Sequence, residues 1–416
     1  MSFHGKISFR GDKSISHRAL MLAALADGIS RITNISQGED VQSTLRCLRQ
    51  CGIRIEGDDP VTIYGNTWSP PAQPLDCGNS GTTARLLLGL LAGIGIEATF
   101  TGDASLQRRP MDRVLTPLKQ MGIQTISDAG HLPVTINGRP TQGLDYRLPV
   151  ASAQVKSAIL LAGLGAPETV TVREPAETRD HTERMLRARG SSIFTGKGTV
   201  QLAPGPQAVK PMAMTVPGDP STAAFFAAAA ALLPGSRVTL KNISANPTRI
   251  HFFRCLRAMG ADVEWSVTGN QSGEPVGTVT VTGRKLRAFR LAGSEIPGVI
   301  DELPILAVLA SQAPGVSTIR DAGELRIKES DRLKALALNL KRMGIPVREE
   351  EDGLDITGGT PLKGGPVATF HDHRIAMAFA VGGLVSRTPV VLDDPDCVRI
   401  SAPEFFRTLR LFQEKG

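Results

Sequence analysis

One pattern recurs six times along this chain: an amphipathic helix that closes on glycine and runs into a short strand. It reads "TLRCLRQCGIRIEG", "VLTPLKQMGIQTIS", "TERMLRARGSSIFTG", "FFRCLRAMGADVEW", "LALNLKRMGIPVRE" and, at the end, "PEFFRTLRLFQEKG". The closing glycines are Gly52, Gly122, Gly190, Gly260, Gly344 and Gly416, spaced 70, 68, 70, 84 and 72 residues apart. A period of that length constrains the architecture before any single motif is read. Each repeat is one supersecondary unit that must bury its apolar face against its neighbours.

Each amphipathic helix follows a second helix of another kind, rich in Ala, Leu and Gly. These are "SISHRALMLAALA", "SGTTARLLLGLLAG", "SAQVKSAILLAGLG", "PSTAAFFAAAAALL", "DELPILAVLASQA" and "DHRIAMAFAVGGLV". Helices apolar on nearly every side belong in the middle of a domain. Stretches such as "RVTLKN", "VTVTG", "TVTVRE" and "LDITGG" supply strands. The predicted unit is therefore a buried helix, an exposed helix, and short strands between and after them.

The sixth unit stops after its exposed helix, whereas the strand-like "GKISF" near the N-terminus has no unit of its own. The economical arrangement lets the N-terminal strand complete the sixth unit, with three units in each half. The expected domains are residues 13–214, continuous, and residues 1–12 plus 215–416, discontinuous. Two chain crossings would join them, an arrangement suited to hinge closure over a ligand. The fold class is α/β (α+β), two similar domains of three βαβαββ-type repeats each.

Composition narrows the partners. The net charge of +7 favours anionic ligands, but aromatic residues are only 4% and no basic tail interleaves with them. Nucleic acid is thereby disfavoured, and a small, multiply charged anion remains. The longest apolar run, residues 222–234, is too short to span a bilayer, and "MSFHGKISFRG" lacks a secretory h-region. The expectation is a cytoplasmic protein without membrane attachment. Five scattered cysteines form no disulfide framework, and Cys47 and Cys51, one helical turn apart, lack further ligands for a metal.

The buried helices begin with "GDKS", "GNSGT", "ASAQVK", "GDPST", "IDELP" and "HDHR". Helix N-termini expose unpaired N–H groups and carry partial positive charge. Cations such as Lys13 and Arg18 at such an end are unfavourable by roughly 0.3–1 kcal/mol each. A bound anion reverses that balance, since hydrogen bonds to charged groups contribute about 1.5–3 kcal/mol. Six such starts facing a common cleft would bind a polyanion. Taken singly, "QRRPMDR" also fits a solvated basic loop, and "ELRIKESDRLKAL" an ordinary helix with i,i+4 pairs such as Glu324–Lys328.

With "GDKSISHRAL", "GNSGTTAR", "RRPMDRV", "ASAQVKSA", "ETRDHTERML", "GDPSTAAFF", "DELPILAV", "RIKESDRL" and "HDHRIAM" in this order, the sequence resembles the 5-enolpyruvylshikimate-3-phosphate synthase family over essentially its whole length. The "KESDRL" and "SAQVKSA" forms resemble its class II bacterial branch. The resemblance implies an enolpyruvyl-transferase fold closing over its substrates. The implied reaction moves the enolpyruvyl group of phosphoenolpyruvate to the 5-hydroxyl of shikimate 3-phosphate with release of phosphate. That step belongs to the shikimate pathway, leading to chorismate and the aromatic amino acids. No metal or organic cofactor is implied, and the expected form is a monomer.

Residue by residue, the resemblance assigns Lys13, Ser14, Arg18, Ser152, Ala153, Gln154, Arg179, Asp301 and Lys328 to shikimate 3-phosphate. It assigns Lys13, Gly81, Arg109, Gln154, Arg332 and Arg374 to phosphoenolpyruvate. Asp301 is the expected base toward the 5-hydroxyl, Glu329 the acid toward the methylene carbon, Lys328 neutralises developing charge, and Lys13, touching both substrates, completes the catalytic set. Such chemistry needs an acid and a base whose pKa values are separated by surrounding cations. Gly81 leaves room for glyphosate at the phosphoenolpyruvate site. Two departures stand out: Ile400 stands where some family members carry the lysine of a C-terminal "C-x-x-K" segment, with Arg399 one residue off, and Glu324 stands where another branch has an asparagine.

Two alternatives are weighed. An enolpyruvyl transferase acting on UDP-N-acetylglucosamine shares the fold and donor but carries a reactive loop cysteine, absent from "QRRPMDR". A non-catalytic polyanion-binding protein gains nothing from Asp301 and Glu329.

Overall fold

The computed structural model describes residues 2–414, so Gly416, the sixth closing glycine, lies outside the described residues. The other five closing glycines adopt left-handed φ between 85° and 103°. In each case the amide after the glycine reaches back five residues, as in Ile53 N–H to Leu48 C=O at 3.1 Å and Ile345 N–H to Leu340 C=O at 3.0 Å. This is the Schellman ending, and it requires a residue free of the Cβ penalty at that place.

Four units share one complete βαβ plan. A short strand leads into the buried helix, and the strand after that helix pairs parallel with the first. Leu75–Asp76 and Ala98–Thr101 flank helix Gly81–Ile94. Leu144–Arg147 and Val170–Arg173 flank Ala153–Gly163. Arg290–Leu291 and Gly315–Ile319 flank Leu303–Gln312, and Gly365–Val367 and Val390–Leu392 flank His373–Gly382. An exposed helix then leads to an antiparallel hairpin that extends the sheet to four strands in the first three of these. The last has only its two-stranded pair among the described residues.

The remaining two units exchange their leading strands. Helix Lys13–Leu25 is preceded by His4–Ser8, yet that strand pairs parallel with Arg237–Ser244, the strand after helix Pro220–Leu232. Ala213–Thr215, which precedes Pro220–Leu232, pairs parallel with Ile29–Thr33 instead. The N-terminal strand thus completes the fourth unit and not the sixth, which corrects the sequence expectation. The reason is that Ala213–Thr215 has already filled the edge beside Ile29–Thr33, leaving Arg237–Ser244 without a parallel neighbour. Contacts divide the chain into a unit of residues 10–217 with 270–274, and a unit formed by the rest. Each has its own apolar core.

The buried helices behave as their composition demands. In Pro220–Leu232 every residue except Thr222 is buried. Helices Gly81–Ile94 and Ala153–Gly163 pack backbone to backbone, where a Cβ on Gly89 or Gly93 would strike the carbonyls of Ala158 or Leu161. Five of the six starts are capped by a side chain, from Asp12, Ser80, Ser152, Asp219 and Asp372. The fifth start differs: Glu302 makes no cap hydrogen bond and its carboxylate accepts from Ser221 Oγ instead. No described helix is long and apolar enough to cross a membrane.

Candidate active site

In the unit of residues 10–217, three helix starts carry the predicted ligands. Asp12 caps the first, its Oδ1 accepting from Ile15 N–H at 2.8 Å. The next residue, Lys13, is half-buried and pairs with Asp40 at 2.8 Å. Arg18 lies one turn further and is buried. Its Nη1 donates to the carbonyl of Ser14 at 2.9 Å, Nε to Thr182 Oγ1 at 2.7 Å, and Nη2 to Ser157 Oγ at 2.7 Å. Burial brings the Arg18 guanidinium down to about 10; nearby Arg179 adds to the fall while Glu183 and Asp12 oppose it. These contacts join Ser14, Arg18 and the neighbourhood of Arg179 in one place.

Gly81 opens the second buried helix. A Cβ there would lie 3.5 Å from Arg109 Nη1 and 2.8 Å from Arg85 Nη1. Arg109 is 8% exposed, which rules out the solvated-loop reading of "QRRPMDR" for this residue. Its Nη2 donates to Asn79 Oδ1 at 2.7 Å and Ser105 Oγ at 3.2 Å. Arg85 donates to Gln154 Oε1 at 2.7 Å and to the Pro110 carbonyl at 3.1 Å. Gln154 Nε2 in turn donates to Thr82 Oγ1 at 3.0 Å. Gln154 follows Ser152, whose Oγ accepts from Val155 N–H at 3.4 Å, and Ala153, the first helical residue. Gly81, Arg85, Arg109 and Gln154 therefore form one group.

A buried chain of hydroxyls ties the first two starts together. His17 Nδ1 meets Thr44 Oγ1 at 2.7 Å, Thr44 meets Thr83 Oγ1 at 2.8 Å, and Thr83 reaches Ser80 Oγ at 2.7 Å. Burial, then Lys13 and Arg18, hold His17 well below its usual pKa, so it is neutral.

The other unit gathers the predicted acid and base. Arg332 is fully buried. Its Nη2 contacts Glu329 Oε2 at 2.7 Å and its Nη1 lies 3.6 Å from Asp301 Oδ1. Nε donates to Asp372 Oδ2 at 2.7 Å. Burial opposes the guanidinium charge, but Asp372, Glu329 and Asp301 outweigh it and raise its pKa above the ordinary value. Asp372 is held below the usual carboxylate range: burial pushes it up, and Arg332 more than reverses this. Lys328 Nζ stands 3.8 Å from Asp301 Oδ1. Arg374 Nη1 donates to the Asp301 carbonyl at 2.8 Å, and Nη2 lies 3.9 Å from its Oδ2. Asp301, Lys328, Glu329, Arg332 and Arg374 are thus one cluster.

"ELRIKESDRLKAL" is not one helix. A 3₁₀ turn covers Gly323–Ile327, Lys328 is extended, and Asp331 caps a new helix at Arg332–Arg342. That break accompanies the approach of Lys328 to Asp301 and of Glu329 to Arg332. Ile400 ends a 3₁₀ turn, and Arg399 is exposed beside Asp396 at 3.5 Å. No group of three or more metal-ligating side chains exists among the described residues.

Sequence reasoning passed over Asp40, Arg85, Lys156 and Asp372. Arg85 carried a signal, since it follows Gly81 by four residues just as Arg18 follows Ser14. Asp372 carried one as the capping residue of "HDHR". Asp40 carried none, because its role depends on a contact 27 residues away in sequence.

The architecture is that of the enolpyruvyl transferases. The solved enolpyruvyl transferase NikO from Streptomyces tendae, 20% identical, superposes with a TM-score of 0.80, covering 99% of this chain and 95% of that one. More specifically, residues 2–409 match the family model of EPSP synthase (3-phosphoshikimate 1-carboxyvinyltransferase), and the chain belongs to that family. A 3-phosphoshikimate 1-carboxyvinyltransferase of Halorhodospira halophila is 48% identical over 416 residues, spanning 98% of this chain and 94% of the relative. One from Desulforamulus reducens is 46% identical over 413 residues, with 98% and 96% covered. The EPSP synthase structure from Acinetobacter baumannii is 40% identical, with a TM-score of 0.87 over 99% of this chain and 96% of that one.

Proposed function

We propose that this enzyme transfers the enolpyruvyl group of phosphoenolpyruvate to the 5-hydroxyl of shikimate 3-phosphate by addition and elimination, with base and acid set on either side of one guanidinium. The observation that carries the assignment is Arg332, whose Nη1 faces Asp301 and whose Nη2 binds Glu329. A shared cation keeps both carboxylates from being expelled as a like-charge pair. Asp301, further flanked by Lys328 and Arg374, is the group that takes the hydroxyl proton. Glu329 gives a proton to the methylene carbon, and Lys328 offsets charge beside it.

Lys13, Ser14, Arg18, Ser152, Ala153, Gln154 and Arg179, with Asp301 and Lys328, bind shikimate 3-phosphate in this reading. Lys13, Gly81, Arg109, Gln154, Arg332 and Arg374 bind phosphoenolpyruvate. Bidentate guanidinium contacts to carboxylate and phosphate would hold the donor in an attack-ready pose. Asp40 orients Lys13. The working form in this reading is a monomer in the cytoplasm. The space left by Gly81 supports glyphosate as a competitor of phosphoenolpyruvate.

The test is Glu329→Gln, followed by phosphate release from phosphoenolpyruvate dependent on shikimate 3-phosphate. Substrate binding is expected to stay nearly intact while turnover falls by about 10²–10⁴, the usual contribution of a positioned proton donor. Unchanged turnover removes Glu329 from the mechanism.

A further inference from the structure

Lys156 has no place in the chemistry above, although it stands between Gln154, which does, and Ser157, which receives Arg18 Nη2. Its side chain is 1% exposed, and its ammonium bonds Glu174 Oε2 at 2.8 Å and Glu183 Oε1 at 2.7 Å. A buried lysine with two buried carboxylates is an expensive arrangement in a core, where apolar residues of similar volume often serve stability as well or better. What it attaches to gives its use. Glu174 Oε1 accepts a hydrogen bond from Thr178 Oγ1, and Thr178 is the residue before Arg179. Glu183 follows Thr182 on helix His181–Ala188, and Thr182 receives Arg18 Nε and itself donates to Ser157 Oγ at 2.7 Å. Beside this triad lies a cavity of about 670 Å³, lined among others by Lys156, Glu174, Thr178 and Glu183. The segment before Arg179 thus reaches Lys156 through Glu174, by the bond from Thr178.

We propose that Lys156, acting through Glu174 and Glu183, is the positioning residue that sets the affinity for shikimate 3-phosphate. One ammonium fixes both the segment that delivers Arg179 and the helix start that aims Arg18. The inference rests on the reading of Arg18 and Arg179 as ligands of that substrate. It assigns no contact between Lys156 and the substrate itself, and it leaves the phosphoenolpyruvate contact assigned to Arg109 undisturbed.

The experiment compares Thr178→Val, Lys156→Met and Arg179→Gln in the full chain, with KM measured separately for each substrate. Thr178→Val removes one hydroxyl from one arm and is expected to raise KM for shikimate 3-phosphate about tenfold, with kcat and KM for phosphoenolpyruvate within about twofold. Lys156→Met releases both arms and is expected to raise the same KM about 100-fold. Adding Thr178→Val to it should then raise KM little further, since both act on one network. If Lys156→Met does not fold, Thr178→Val decides. An unchanged KM for shikimate 3-phosphate in Thr178→Val, beside a raised one in Arg179→Gln, overturns this inference alone. An unchanged KM in Arg179→Gln overturns the reading of Arg179 and the inference with it. A fall in kcat with both KM values unmoved also overturns it.

Discussion

Gly81→Ala tests how tightly the second helix start is built. The added methyl would lie 2.8 Å from Arg85 Nη1, 3.5 Å from Arg109 Nη1 and 3.6 Å from Leu106 Cδ1. Only the first is a clash. Ordinary contact begins near 3.5 Å, so the Arg85 guanidinium must withdraw by about 0.7 Å. It is the end of a flexible side chain, but it is held at 2.7 Å to Gln154 Oε1 and 3.1 Å to the Pro110 carbonyl. A shift of that size breaks or severely weakens the bond to Gln154. A hydrogen bond from a charged donor contributes about 1.5–3 kcal/mol, and each 1.4 kcal/mol is about tenfold in affinity. KM for phosphoenolpyruvate is therefore expected to rise about 10- to 100-fold, and inhibition by glyphosate to weaken with it. The assay is phosphate release at saturating shikimate 3-phosphate with phosphoenolpyruvate varied, repeated with the roles reversed. A KM for phosphoenolpyruvate within about twofold of the parent, with the other KM raised instead, would refute the placement of Gly81 beside the donor.

Asp372→Asn keeps a side-chain cap for Arg374 N–H but removes the buried charge bonded to Arg332 Nε. The cost is about 3 kcal/mol, at the low end for unpairing a buried charge because Glu329 and Asp301 remain. It should be read as a lower denaturation midpoint at neutral pH. With its pKa depressed, Asp372 contributes stability that is complete above the ordinary 3.8 and lost as pH falls through its lower folded value. The substitution should abolish that part of the acid sensitivity. His17 works at higher pH: unfolded it takes a proton below 6.5, whereas folded it stays neutral. Stability should therefore fall as pH drops below 6.5, by up to about 1.4 kcal/mol per pH unit from this residue. Denaturation of His17→Asn between pH 5 and 7 checks this, and an undiminished slope would count against it.

What was legible in the sequence is what a few neighbouring residues decide. The glycine after each exposed helix announces itself because the Schellman ending needs left-handed φ at that place. The buried helices announce themselves because no side of them suits water. Strand exchange was invisible, since parallel pairing of His4–Ser8 with Arg237–Ser244 joins segments more than 200 residues apart and leaves no mark in either. The break inside "ELRIKESDRLKAL" was locally written, in Asp331 as a cap, but i,i+4 charge spacing argued the other way.

The six helix starts looked alike in sequence, small residues with anion-binding side chains, and their differences emerge only from contacts. In the unit of residues 10–217 the arginines of the first two buried helices are steered by neutral groups, Arg18 by Ser157 and Thr182 and Arg85 by Gln154, although Lys13 and Lys156 pair with carboxylates. In the other unit the cations are enclosed by carboxylates, as Arg332 is by Asp301, Glu329 and Asp372. A guanidinium on neutral partners keeps its charge for an incoming anion, whereas one among carboxylates balances charge already present. An N-terminal helix dipole favours either arrangement, because it stabilises a bound anion and a resident carboxylate alike. Repetition supplied six positive helix ends, and the side chains that reach each one from elsewhere in the chain decide how much of the local charge is already balanced.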